Sequence, residues 1–197
     1  MRLEFLQYDA EAMAERYGLK LESGFLCFDF FGKPCRVSLS TGAAWCADTS
    51  DGEFREADFD ESMTVYDILC WSAPDAAPSG ELVNMNSLSH LTGAASAPSP
   101  KGFYSAQARL FDGKTDELSK ALTAAGGTVS EGGDISAAFD VFCGLKVIFR
   151  FWNSDEDFDA QIQLLWDKNV LRYMHYETVW YAAGVLMDRI KRSMPTV

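Results

Sequence analysis

The last third of the chain alternates with a period of two, and this limits its fold more than any other feature. Leu145, Val147, Phe149 and Phe151 are apolar, with Lys146 and Arg150 set between them. After the acidic connection NSDEDFD, Ala160, Ile162, Leu164 and Trp166 repeat the pattern against Gln161, Gln163 and Asp167. Successive strand residues point to opposite faces, so Leu145–Trp152 and Ala160–Asp167 read as an antiparallel pair with one apolar and one wet face. Ile135–Phe142 is a further strand. The apolar face needs a cover, and a helix over about 176–192 offers one through Val179, Ala183, Leu186 and Ile190. Trp152 and Trp166 fall in opposite alternation classes, so at least one faces outward or toward a helix.

The first half supplies matching parts. Leu3, Leu6, Ala10, Met13 and Tyr17 form one stripe of a helix over 2–17 that Gly18 ends. FLCFDFFGKPCRVSLS reads as a hairpin with Gly32-Lys33 at its turn, which sets Asp29 opposite Arg36. Leu26, Phe28, Phe30, Cys35, Val37 and Leu39 then share an apolar face, and Cys27 lies on the other. Residues 48–61 read as an acidic solvated loop. Thr64 and Asp67 make a capping-box pattern for a helix at about 65–72, with Met63 and Ile68 as its staple. A helix at 115–125 stops at Gly126-Gly127. Between them, 73–105 holds Pro74, Pro78, Pro98 and Pro100 and reads as a long irregular crossover with a short helix near 86–91. The expectation is an α+β fold: a mainly antiparallel β-sheet with helices packed on one face, including the N- and C-terminal helices, in a single domain spanning 1–197.

Charge narrows the function. A net charge of −12 repels phosphate backbones and anionic lipid, so neither nucleic acid nor a membrane surface is an expected partner. The basic trio Arg189, Lys191 and Arg192 reads as countercharge to a helix C-terminus. Glu4, Asp9 and Glu11 interrupt any signal-like run, and no apolar run approaches the roughly 18 residues of a spanning helix, which places the protein in the cytoplasm. The five cysteines (Cys27, Cys35, Cys46, Cys70, Cys143) form no CxxC and read as reduced, mostly buried thiols. No metal and no cofactor is expected.

The residues that carry chemistry are few. Asn153, Asp155, Asp157 and Asp159 resemble the start of a calcium loop, but Phe158 and Leu164 stand where its glycine and bidentate glutamate belong. Phe158 is expected to fold the acidic loop back onto the domain. His175 with Glu177 and Asp167 could form an acid–base site, joined by His90 from the crossover. No G-x-S-x-G elbow, H-E-x-x-H helix or Walker loop accompanies them. The favoured reading is a non-catalytic binding or accessory module for a protein partner or small ligand. Its contacts would come from Trp152, Asp155, Asp157, Phe158 and Asp167, with the crossover as a binding loop. The alternative is a small-molecule enzyme built on His175, Glu177 and Asp167.

The block VIFRFWNSDEDFDAQIQLLWDKNVLRYMHYETVWYAAGVLMDRI resembles the C-terminal signature of the domain-of-unknown-function 3786 family, a group of uncharacterised prokaryotic proteins. The matching features are Trp152 with the acids 155–157 and Phe158, then Trp166-Asp167, then Tyr173-Met174-His175 with Glu177. The resemblance extends more loosely over about three quarters of the chain. It implies an α+β fold, often in bacterial anaerobes, and a link to redox or corrinoid-type systems through relatives fused to cysteine-rich iron–sulfur segments. This chain departs from those relatives in having no clustered cysteines. It also carries Cys70-Trp71 where they tend to have a histidine–tyrosine pair.

Overall fold

The computed structural model describes residues 1–49, 52–85, 87, 88 and 104–195. The fold class is the expected α+β, with the strands divided between two antiparallel sheets. The first is a meander of β1 (Lys20–Glu22), β2 (Phe25–Phe30), β3 (Lys33–Ser38), β4 (Ala44–Ala47) and β5 (Phe54–Glu56), in chain order. The second comprises β6 (Leu82–Asn84), β7 (Thr128–Val129), β8 (Ile135–Phe142), β9 (Leu145–Trp152) and β10 (Gln161–Asp167), in the order β6-β10-β9-β8-β7. The helices are α1 (Arg2–Phe5), α2 (Ala10–Tyr17), α3 (Phe59–Trp71), α4 (Ser105–Phe111), α5 (Thr115–Ala124) and α6 (Tyr176–Ser193). α6 packs on α3 and α5, α4 on β10, and α5 on β8. Among the described residues no helix is long and apolar enough to cross a membrane.

The alternation in β9 and β10 converts directly into burial. Leu145, Val147, Phe149 and Phe151 are fully buried, as is Trp166, and Ile162 and Leu164 are nearly so. Phe111 meets Phe149 and Phe151 edge to face at 6.5 and 6.3 Å. Each fully buried ring of this kind contributes about 1.5–3 kcal/mol through area removed from water.

The early hairpin keeps its expected inward set, apart from Leu39, which lies beyond β3 and is exposed, but not its expected turn. Phe31 and Gly32, rather than Gly32 and Lys33, take positive φ at 51° and 66°, the geometry of a two-residue turn matched to strand twist. Cys27 therefore pairs with Arg36 and Asp29 with Pro34. A slip of two preserves the inward set, whereas a slip of one would invert it. The cause is tertiary. Phe31 is fully buried, packs on Phe30 at 4.9 Å and donates its N–H to Val141 O at 3.1 Å, joining the two sheets. Gly126 lies so close that a Cβ there would stand 2.8 Å from Phe31 O. Arg36 has no Asp29 partner and instead lies between Phe25 and Phe54, 4.3 and 4.1 Å from their ring centroids.

Other local readings shift for similar reasons. The N-terminal helix breaks into two because Asp9 caps α2, accepting from the N–H groups of Glu11 and Ala12 at 2.9 and 3.1 Å. α3 starts at Phe59, where Asp58 and Glu61 form the capping box. Thr64 sits inside the helix, its hydroxyl donating to Asp60 O at 2.7 Å. The acidic 48–61 stretch is thus partly β5 and partly helix start. The crossover contains β6, which pairs with the end of β10. The expected short helix near 86–91 lies, apart from Ser87 and Leu88, outside the described residues, as does His90. Cys35 and Cys46 form a disulfide, against the expectation of reduced thiols. They are directly opposed on β3 and β4, with Cα atoms 4.2 Å apart, a proximity that eleven residues of sequence do not reveal.

One buried charge network ties three elements together. Glu61 on α3 is 1% exposed and accepts two bonds from Arg55, at 2.7 and 3.0 Å. Arg189 on α6, also buried, reaches Glu61 at 3.3 Å and donates to Phe30 O at 2.9 Å. Arg189 is therefore a core ion and not the helix-dipole countercharge the sequence suggests. Burial pushes the Glu61 carboxyl up, but the Arg55 and Asp58 hydrogen bonds and the two guanidinium charges outweigh it and hold the group below its ordinary value.

Candidate functional site

β6 pairs with Leu165, Trp166 and Asp167 but goes no further along β10. Beside the rest of β10, between it and α4, lies a cavity of about 700 Å³, within the size range of small-molecule sites. Its apolar lining includes Ile162 and Leu164 of β10 and Ala108 of α4. Four aromatic side chains add to it: Trp152 at the end of β9, Trp180 on α6, Tyr104 just before α4, and Phe158 in the acidic loop. Asp134, Asp155 and Asp159 supply the charge, and no lysine or arginine lines the cavity among the described residues.

A dense hydrogen-bond set holds the acidic loop in place. Asn153 donates its backbone N–H to Asp134 at 2.7 Å, and its side-chain amide to Asp134 at 3.1 Å and Thr115 at 3.2 Å. Its carbonyl oxygen accepts from Gly113 N–H at 2.9 Å. The start of β8, the end of β9 and the α4–α5 link thus meet at one amide. Ser154 donates twice to Asp112, at 2.9 and 2.7 Å, which keeps that carboxyl below its usual range. Asp155 closes the turn: one of its oxygens accepts from the N–H groups of Asp157 and Phe158 at 2.9 and 2.8 Å. It is this backbone turn that folds the loop over. The Phe158 ring, expected to fold the loop back onto the domain, lines the cavity while staying 61% exposed. Asp157 does not line the cavity. Among the described residues no group of three or more His, Cys, Asp or Glu is arranged to hold a metal ion.

The second cluster of candidates separates. Asp167 is 2% exposed, and its oxygens accept from Ser79 N–H and Oγ, Gly80 N–H and Asn169 N–H at 2.8–3.0 Å. Burial raises its pKa and these donors lower it, with a net result below the ordinary value. It secures the approach to β6 and makes no bond to His175. Glu177 sits exposed in the first turn of α6, where a carboxylate favours the helix dipole.

His175 is the N-cap of α6 and has a partner that sequence reading assigned elsewhere. Buried Asp67 accepts from the His175 backbone N–H and from its Nδ1, both at 2.7 Å. The Trp71 ring stands edge-on to the imidazole at 5.1 Å. With Nδ1 on the carboxylate, the neutral ring carries its lone pair at Nε2, and the side chain is 56% exposed. A carboxylate on Nδ1 with an exposed Nε2 is the arrangement that a general base and its orienting group require. Nearby Cys70 is not an activated nucleophile, because burial pushes its thiol up to about 12.

Trp152, Asp155 and Phe158 therefore meet at the cavity with Asp159 of the same acidic run, joined by Trp180, Tyr104 and Asp134, which the sequence did not single out. Trp180 had one available signal: an aromatic beside, but not on, the stripe Val179–Ala183–Leu186–Ile190. Tyr104 and Asp134 join them only through folding. The family model for the domain of unknown function DUF3786 matches residues 9–189. No curated protein and no solved structure matches the chain.

Proposed function

We propose that this chain, which belongs to the DUF3786 family, is a binding module for a small organic ligand held in the cavity between β10 and α4. One observation carries the proposal: about 700 Å³ of concave space is walled by Trp152, Trp180, Tyr104 and Phe158 and rests on Ile162 and Leu164. Large amphipathic rings around an apolar floor, with a few polar groups at fixed places, are the usual make-up of small-molecule sites. The accessory role in redox or corrinoid-type systems implied by the family resemblance belongs to this proposal, so flavins and corrinoid fragments enter the test. Thermal-shift screening against amines, nucleotides, flavins, corrinoid fragments and divalent metals should yield at least one stabilising class. That stabilisation should be lost in Trp152→Ala. Stabilisation that survives Trp152→Ala and Ile162→Asp would place the ligand elsewhere and refute the assignment.

A second reading rests on the 2.7 Å His175–Asp67 pair: an acid–base site at the start of α6, with Glu177 beside it. Turnover of any substrate that falls by 10²-fold or more in His175→Gln, in line with the usual worth of a positioned base, would favour it. Unchanged turnover in that variant would remove it.

A further inference from the structure

We infer that the cavity takes an organic cation: a protonated or quaternary amine carried on an apolar body. The inference rests on the binding reading above and adds the ligand's charge. An acidic loop alone would be a solvated hairpin tip. Here the acids border a concave space whose other walls are aromatic, and the two features select for one chemistry together. An aromatic face attracts a cation through its quadrupole, most strongly for Trp, and rings gathered around one space are the common way of holding ammonium groups. Trp152, Trp180, Tyr104 and Phe158 are the rings that line this space.

The carboxylates are placed to complete the match. Asp134, Asp155 and Asp159 join no ion pair among the described residues. Asp134 spends Oδ2 on Asn153, and Asp155 spends Oδ1 on the loop's own N–H groups. The other oxygen of each, and both oxygens of Asp159, accept no hydrogen bond among the described residues. Elsewhere the chain neutralises comparable acids with its scarce cations, as Arg55 does for Asp48 and Glu61. Beside the cavity no protein cation lines the wall among the described residues. Asp134, Asp155 and Asp159 are exposed at the cavity's rim; like charges gathered at one rim repel one another, and a ligand cation relieves that repulsion, whereas an anion would add to it.

The test compares probes that differ in charge: choline against its neutral isostere 3,3-dimethylbutan-1-ol, and the aromatic cation benzyltrimethylammonium against the aromatic anion benzoate. Titration follows tryptophan fluorescence and calorimetry on the full chain. The expected result is at least tenfold tighter binding of choline than of its isostere, with benzoate not bound. Raising salt from 50 to 500 mM should weaken the cations severalfold and leave the neutral probe unchanged. Asp159→Asn, whose side chain makes no hydrogen bond among the described residues, should reduce the cation preference severalfold at unchanged melting temperature. Trp152→Ala should weaken charged and neutral probes alike. Equal or tighter binding of the neutral isostere or of benzoate at this cavity would overturn the charge inference while sustaining the cavity as a ligand site. Absence of binding by every probe, together with a silent screen, would overturn both.

Discussion

The Glu61 junction and the rim of the β10 cavity are both rich in carboxylates, yet the fold treats them in opposite ways. At the junction, Glu61 is 1% exposed and is met by Arg55 and Arg189 from different elements. At the rim, Asp134, Asp155 and Asp159 face a cavity with no lysine or arginine in its described lining. A chain with only 17 basic residues against 29 acidic ones has committed cations to a place where burial would otherwise be prohibitive. It has left unmatched the acids that a ligand can reach. The first arrangement is structural and the second is open to function.

That contrast breaks most visibly under substitution. Glu61→Ala strands Arg189 and Arg55 and should destabilise the protein by about 3–5 kcal/mol, the usual consequence of removing one partner from a buried pair. Asp159→Asn should stay within about 0.5 kcal/mol. Urea denaturation of both variants decides the point, and comparable losses would erase the distinction. Asp67→Ala comes next, at about 1–3 kcal/mol, because it leaves two N–H donors without their acceptor at the α3–α6 contact. His175→Ala should cost less, since its backbone N–H bond persists. If the histidine change proves the larger, the pair is not held from the Asp67 side.

Acid sharpens the same comparison. The Glu61 carboxyl is held below its ordinary 4.5, so the unfolded chain binds its proton more tightly than the folded one. The stability it contributes is fully present above about 4.5 and is lost as the pH falls through the lower folded value. Asp48, held down by its Arg55 hydrogen bonds, and Asp167 add in the same direction. Glu61→Gln should flatten the acid limb of a urea-midpoint profile. Trp152→Ala should cost little stability, under about 1 kcal/mol for a half-buried ring at a cavity wall, despite its large expected effect on ligand-induced melting shifts.

Legibility in the sequence followed the range of the forces involved. The strands Ile135–Phe142 and Leu145–Trp152 match their expected bounds, and β10 is one residue shorter than expected at its start, because alternation is a local property that burial later enforces. The hairpin showed its inward face but not its register, which is set by Phe31 reaching the other sheet. Asp58 and Glu61 hid the true start of α3 within a run that reads as solvated acid, and Thr64 and Asp67 imitated a capping box six residues further on. The Cys35–Cys46 bridge depends on β4 lying beside β3. Half of the candidate site was legible because Trp152, Asp155 and Phe158 are neighbours in sequence. Trp180, Tyr104 and Asp134 enter from three other elements, and the sequence carries no mark of their meeting.

The most direct test is a crystal structure of the protein grown with benzyltrimethylammonium. The account predicts the probe inside the β10–α4 cavity, its ammonium among the aromatic faces with Asp134, Asp155 or Asp159 nearest and its ring over Ile162 and Leu164. A cavity closed by the protein's own side chains, with the probe bound elsewhere or not at all, would contradict it.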